Sequence, residues 1–313
     1  MYQPADIIAY WRHATATDNE EAGMLNIRVL DEFATLRSVI LHHPENAIDL
    51  TAEEFEKVVP PDELREHPET GPVSKARVKE QHARLHKLFD RFGVAVQPPD
   101  PHPMAFCQVF TRDPCFVIGD TLFMGALRDS HRLPETAGLD RLRAQVDQVA
   151  ALSSETGTIE GGDIFILQGG RLVLVGMNRH STEAAVRWLA SIVELSGARV
   201  VRVPHRALHL DCCLAPLPNG EALFTPGKLP DTSLEMLRPL FGRLRMLDEL
   251  EGIRHLAANI FWLDPENVVS STATPKTNEV LRSLGYRVHT LEFSDLVAMW
   301  GSVRCVTCPL ERE

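Results

Sequence analysis

The feature that most constrains this fold is a hairpin that recurs at a fixed interval. Apolar segments open at Phe116, Ile164, Cys212 and Ile260, each 48 residues after the one before. Each runs through a turn into a second apolar stretch: 115–120 into 122–124, 164–167 into 172–175, 212–217 into 222–224, and 260–262 into 268–269. Turn residues such as Gly169-Gly170, Asn219-Gly220 and Asp264-Pro265 between β-rich flanks predict hairpins at these places. Helical patterns follow them. Leu139, Leu142, Val146, Val149 and Leu152 share one helical face, as do Ala185, Val186, Leu189, Ile192 and Val193. Ser181 or Thr182 is suited to cap the second of these helices, which ends near Gly197. Shorter helices fit 233–237 and 278–284, and strands at 198–203 and 286–293 close their units. The N-terminal part fits the same plan, with a strand at 36–41, a helix at 74–92 and a strand at 94–96.

A unit of about fifty residues with strands and a helix predicts a solenoid or a closed propeller-like ring. The last segment, 303–310, has no helix after it and is expected to complete the N-terminal hairpin, leaving no exposed sheet edge. Residues 26–313 read as one domain behind an extension at 1–25, with surface loops at Pro60-Pro61 and at 98–103. Ring closure would bring motifs far apart in sequence to one centre.

Composition removes several classes of function. A net charge of −11 without a basic stripe argues against nucleic acid, and it permits a cationic small-molecule substrate. No apolar run approaches the ~20 residues of a membrane span. The first 24 residues carry Asp6, Asp18, Glu20 and Glu21 and lack the apolar core of a signal peptide, so a cytoplasmic location is expected. Six cysteines are too few for a disulfide scaffold and are expected as thiols. A homo-oligomer is compatible with the chain, and the sequence is silent on it.

Four polar motifs carry the chemistry: Thr111-Arg112-Asp113-Pro114, Glu160-Gly161-Gly162-Asp163, His209-Leu210-Asp211, and the stretch from Cys305 to Leu310. Cys305 is the candidate nucleophile. A thiol with a pKa near ~8.5 needs a base or a nearby cation to ionise, and a guanidinium substrate supplies such a charge. His209 is the matching acid and base, protonating a leaving amine and then activating water. Asp113 and Asp211 can each accept the forked hydrogen bonds of a guanidinium, and Glu160 can orient His209. Arg112 and Asp163 either pin loops or touch substrate. Cys308 makes a Cys-x-x-Cys pair with Cys305, a redox or metal pattern, but no second pair at zinc-finger spacing accompanies it. His42-His43 resembles a metal pair and reads more simply as ordinary histidines.

These motifs, in this order, resemble the arginine deiminase-type members of the guanidino-group modifying superfamily. The family's Phe-Thr-Arg-Asp-Pro matches Phe110 to Pro114, its Glu-Gly-Gly-Asp matches Glu160 to Asp163, and its His-Leu-Asp matches His209 to Asp211. Its terminal Arg-Cys-x-Thr-x-Pro-Leu-x-Arg-Glu matches Arg304 to Glu313, and the likeness runs from about Leu36 to the end. The resemblance implies a five-bladed α/β-propeller (pentein) and a cofactor-free, metal-free, two-step hydrolysis. In that scheme Cys305 attacks the guanidinium carbon, and an amidino-cysteine intermediate is hydrolysed to a ureido product. It also implies that Arg179, in the segment from Gly176 to Ser181, binds the substrate carboxylate, with Arg128 and Arg132 as further candidates. Two departures bear on the amino-acid end of the substrate. The family's helical insertion before the Arg-Asp motif has no room between Val96 and Phe110, and Cys107 stands where the family often has Asn. Asp211 differs from dimethylargininases, which usually have another residue there, and so favours an unsubstituted guanidinium. An amidinotransferase or a dimethylargininase is the alternative within the superfamily. A non-catalytic metal-binding or regulatory protein is the alternative outside enzymes.

Overall fold

The computed structural model describes residues 23–42, 44–58 and 71–313. Among these residues, strands β1 (Leu36–Ile40) and β2 (Ala95–Gln97) begin a first blade. Four complete blades follow: β3 (Cys115–Ile118), β4 (Thr121–Met124) and β5 (Val149–Ala151); β6 (Ile164–Leu167), β7 (Leu172–Met177) and β8 (Arg199–Pro204); β9 (Leu214–Pro216), β10 (Glu221–Phe224) and β11 (Arg243–Met246); and β12 (Phe261–Trp262), β13 (Asn267–Ser271) and β14 (Arg287–Leu291). The final strand, β15 (Cys308–Arg312), returns to pair with β1, antiparallel, with Ile40 opposite Cys308. The protein is a five-bladed α/β-propeller of three-stranded sheets.

Every blade is built the same way. Its first two strands pair antiparallel, and the third lies parallel to the middle one, as in β6–β7–β8. A parallel partner needs a crossover, and helices supply it. The helix Glu183–Val193 joins β7 to β8 and buries Ala185, Val186, Leu189 and Val193 of its predicted face, together with Ala190, while Ile192 is half-buried. Each fully buried Val or Leu contributes up to about 1.5–3 kcal/mol. Gly197, at φ 84°, then turns the chain through a left-handed conformation that a side chain disfavours.

The helix expected over 139–152 is a correction. Only Asp140–Ala144 is helical there, and Val149 lies in β5, parallel to β4 opposite Leu122. Leu139, Leu142 and Val146 still face the core, so the apolar spacing was real, but pairing with β4 outweighed helix continuation. The short strand β11 carried too weak an apolar signal to be anticipated. Pro60-Pro61, His43 and residues 1–22 lie outside the described residues; His42 is buried.

A strap from Leu25 to Leu36 ties the blades together. Its backbone bonds Gln145, Gly119, Ile166, Leu263 and Leu310, which lie on four different blades. It also delivers Glu32 into the interior, where only 7% of that residue is exposed.

Candidate active site

The site is assembled from one repeated position. In four blades the turn just before the first strand carries a polar motif residue: Asp113 before β3, Glu160 and Asp163 before β6, His209 and Asp211 before β9, and Cys305 before β15. Glu160 and His209 occupy equivalent extended conformations, φ −123° and −130°, each followed by a single 3₁₀ turn. The glycines of the Glu-Gly-Gly-Asp motif are dictated by close packing. A Cβ on Gly161 would lie 2.1 Å from the Arg112 carbonyl oxygen, and one on Gly162 would lie 2.7 Å from the imidazole of His209. The loop that carries Glu160 is thereby pressed against the ring it holds.

Asp113, His209 and Cys305 face a common cavity of about 60 Å³, walled by Phe106, Phe110, Leu208 and Trp300. Glu160 stands behind His209, with Oε2 2.7 Å from Nε2, and its other oxygen lies 3.2 Å from Nδ1 of His180. The Arg128 backbone N–H donates to that second oxygen at 2.9 Å. Nδ1 of His209 is 3.5 Å from Asp113 Oδ1. Burial opposes charge on both members of the clamp. The imidazoles of His180 and His209 nevertheless hold Glu160 well below the usual carboxylate range, and Asp113 with Glu160 raises His209 well above the usual imidazole value. Both shifts favour an ion pair between an ionised Glu160 and a protonated His209.

The Cys305 end of the cavity is held by Asn259, which precedes β12. Its Nδ2 donates to Cys305 Sγ at 3.2 Å, and its Oδ1 accepts the backbone N–H of Arg304 at 2.9 Å. Arg304 lies over the Phe165 ring at 4.1 Å, donates to Asp211 at 2.9 Å, and reaches both oxygens of Glu32 at 3.2 Å. Cys308 faces away from Cys305, its sulfur 3.8 Å from that of Cys115, so the Cys-x-x-Cys spacing does not form a pair.

The remaining predicted residues divide between the cavity and its supports. Arg132 lines the cavity, but its guanidinium is taken by Asp113 at 3.0 Å and by a two-pronged bond to Glu135 at 2.8 and 2.9 Å. Asp163 accepts from Ser181, from the Leu210 backbone and from His205, and so fixes the turn carrying His209. Arg112 bonds the carbonyl of Arg304 through Nε, and its backbone N–H bonds that of Cys305. Neither of these lines the cavity. Arg128 stands outside it too, its side chain on Asp129 at 3.1 Å. Two further predicted residues do not line the cavity. Arg179 is half-buried outside the cavity, and the neighbouring His180 lines it instead. Asp211 is fully buried and does not line the cavity; one of its oxygens accepts from Arg304 at 2.9 Å, and its carboxylate lies within 4.8 Å of the Cys305 sulfur.

The arginine deiminase family model matches residues 37–225 and 251–312, most of the chain and all four motifs. The chain belongs to the arginine deiminase family. Among curated relatives, protein YkgA of Bacillus subtilis is 26% identical over 90% of this chain and 94% of its own. An N(G),N(G)-dimethylarginine dimethylaminohydrolase of Pseudomonas aeruginosa is 30% identical over 76% of this chain and 90% of its own. The solved structure of an amidinotransferase of Microseira wollei, from the saxitoxin biosynthetic pathway, superposes with a TM-score of 0.76 at 18% identity, covering 91% of this chain and 97% of that one. It shares the fold.

Within this member of the arginine deiminase family, Asn259, His180, Arg304 and Glu32 escaped sequence reasoning. Asn259 had a signal: Asp163, Asp211 and Asn259 are spaced by 48 residues, each just ahead of its blade's hairpin. His180 adjoins Arg179, and only the side-chain directions separate them. Glu32 had none, because its role depends on where the strap crosses. Two groups, Glu160–His180–His209 and Asp211–Cys212–Cys305, bring donor atoms within 4.8 Å of one another, donor sets that zinc accepts.

Proposed function

We propose that this protein hydrolyses an arginine-like guanidino compound to a ureido product and ammonia, arginine to citrulline being the simplest case. Membership of the arginine deiminase family makes it a hydrolase of C–N bonds in linear amidines. The finer reading rests on one observation: Cys305, Asp113 and a His209 clamped by Glu160 at 2.7 Å meet at one cavity. Asp113 draws the guanidinium to His209 and Cys305 by charge-assisted hydrogen bonding. Cys305 attacks the guanidinium carbon as its thiolate, the sulfur proton having passed to solvent as the cationic substrate binds, and His209, already protonated, gives its proton to the departing ammonia. An amidino group remains on sulfur. Water, deprotonated by His209, adds to that carbon, and collapse expels the thiolate and releases the ureido compound. Asn259 is positioned to orient the sulfur in both steps. The reading treats residues 26–313 as one catalytic domain, and no step in it calls on a metal or an organic cofactor.

Turnover of dimethylarginine gains weight from the engagement of Asp211 by Arg304, which leaves Asp113 as the cavity's carboxylate nearest His209. A metal-binding reading draws on the two donor clusters, but a metal would have to displace the hydrogen bonds from Glu160 to both imidazoles. The test is ammonia and ureido-product release from arginine, dimethylarginine, agmatine and guanidino acids, by wild type and Cys305→Ser. Turnover abolished by the substitution supports the reading. Stoichiometric zinc in protein purified without added metal, with no guanidine hydrolysis, supports the metal-binding alternative. Ornithine and a new guanidine formed from an added amine, without ammonia, would make it a transferase.

A further inference from the structure

Cys212 has no part in the hydrolysis scheme, yet it lies beside Cys305. Its sulfur, that of Cys305 and a carboxylate oxygen of Asp211 all lie within 4.8 Å of one another. Both thiols are buried, Cys212 at 3% and Cys305 at 4% exposed, but only Cys305 lines the cavity. The two stand on turns rather than in paired strands: Cys212 ends the 3₁₀ turn Leu210–Cys212, and Cys305 precedes β15. Rotation about side-chain bonds, with a small shift of either turn, can bring the sulfurs to the ~2.05 Å of a disulfide.

The surroundings of the two sulfurs differ. Cys305 receives the Asn259 amide at 3.2 Å and faces a cavity of about 60 Å³. That volume holds roughly four water-sized spheres at ~15 Å³ each, enough for hydrogen peroxide with its two heavy atoms. Cys212 instead donates to Asp211 Oδ1 at 3.5 Å. Its hydrogen bond to Cys305 and its burial push the Cys212 thiol well above the ordinary range, so it keeps its proton until a base takes it. The other close pair, Cys115 and Cys308 at 3.8 Å, is fully buried and neither member lines the cavity. A small oxidant entering the cavity therefore meets Cys305 first.

We infer that Cys305 and Cys212 are a site of reversible oxidation by hydroperoxides, with Cys212 as the resolving thiol. The Cys305 thiolate attacks one oxygen of the peroxide, forming an S–O bond and breaking the O–O bond. The hydroxide released takes up the proton that Cys305 gave up and becomes water. Cys305 is then a sulfenic acid. Cys212 attacks that sulfur, so that the S–S bond forms and the S–O bond breaks. The Cys212 proton passes by way of Asp211 to the departing hydroxide, making a second water. Two thiols lose two electrons and two protons, and one peroxide is reduced to two waters. The disulfide ties up the sulfur that would attack a guanidinium, and it withholds that sulfur from oxidation to sulfinic acid, which thiols do not reverse. Forming the bond needs only the geometry of the two thiols; its effect on turnover rests on the guanidine-hydrolase reading.

Full-length wild type and Cys212→Ala, freed of metal by a chelator, are exposed to hydrogen peroxide without substrate. Part of each is blocked with iodoacetamide and mapped by mass spectrometry, and part is treated with dithiothreitol and assayed on the guanidine panel. Wild type is expected to lose two hydrogens and to yield a cross-linked peptide pair containing Cys212 and Cys305, which dithiothreitol separates. Cys212→Ala is expected to gain oxygen on Cys305 and to recover roughly tenfold less activity after reduction than wild type. Cys212→Ser, which keeps the volume of the side chain closer to native, gives the same result where alanine unfolds the protein. A disulfide joining only other cysteines, oxygen on Cys305 of wild type at the yield seen in Cys212→Ala, or equal recovery by the two proteins overturns the resolving role. The cross-link without turnover of any guanidine refutes the hydrolase reading and leaves the resolving thiol supported.

Discussion

Replacing Gly162 by alanine tests whether the Glu-Gly-Gly-Asp loop sets the position of His209. The added Cβ would lie 2.7 Å from both Cγ and Nδ1 of His209 and 2.9 Å from its Cβ. Comfortable carbon contacts need ~3.5–4.0 Å, so ring and loop must separate by about 1 Å. That separation stretches the 2.7 Å bond between His209 and Glu160 out of hydrogen-bonding range. A misplacement of ~1 Å at a reacting group costs about 10²-fold in rate, equivalent to ~2.7 kcal/mol of barrier. Overpacking should also lower stability by about 1–3 kcal/mol. The assay is kcat on the best substrate of the guanidine panel, at a temperature where circular dichroism shows the variant folded. Gly242→Ala is the control, because its Cβ would meet only the Gly220 carbonyl oxygen, at 3.8 Å. A Gly162→Ala enzyme within threefold of wild type would refute the argument that close packing at this glycine aims the imidazole.

The remaining predictions concern charge. His209 is raised from an ordinary value of 6.5, so its contribution to stability is complete below that pH and is lost as pH climbs through the raised value. Glu160 is depressed from 4.5, so its contribution is complete above that pH and is lost as pH falls through the depressed value. The thermal midpoint of wild type minus that of His209→Asn should therefore be flat between pH 4.5 and 6.5 and shrink at higher pH. A difference that instead grows with alkalinity would contradict the assigned charges. Arg304→Met should cost about 3–5 kcal/mol, because Glu32 and Asp211 are left buried without their cation. Adding Glu32→Gln should recover part of that loss. A single-variant loss under 1 kcal/mol by chemical denaturation would show that the pair is solvated.

Much of this architecture is legible in the chain because the repeat imposes one local pattern four times. Hairpins at Ile164 and Cys212 were readable from apolar strands flanking Gly169-Gly170 and Asn219-Gly220, where local turn chemistry and core burial agree. The segment 139–152 was misread because its spacing satisfied a helix locally, while Val149 answered to β4, a partner distant in sequence. The same division holds in the site. Cys305, His209, Glu160 and Asp113 were named from motifs, and the fold brings them together. Arg179 and His180 are adjacent on a turn, and which side chain enters the cavity depends on backbone direction that sequence does not encode locally. The engagement of Asp211 by Arg304, 93 residues away, likewise depends on ring closure and on Glu32 arriving from the strap.

The central claim is that Cys305 carries the group being transferred to water. Its most direct test is intact-mass measurement and peptide mapping of wild type, acid-quenched while saturated with its best guanidine substrate. The account predicts a mass gain equal to the substrate less one ammonia, on the peptide containing Cys305 and absent from Cys305→Ser. An adduct on another cysteine, or sustained turnover by Cys305→Ser, would contradict it.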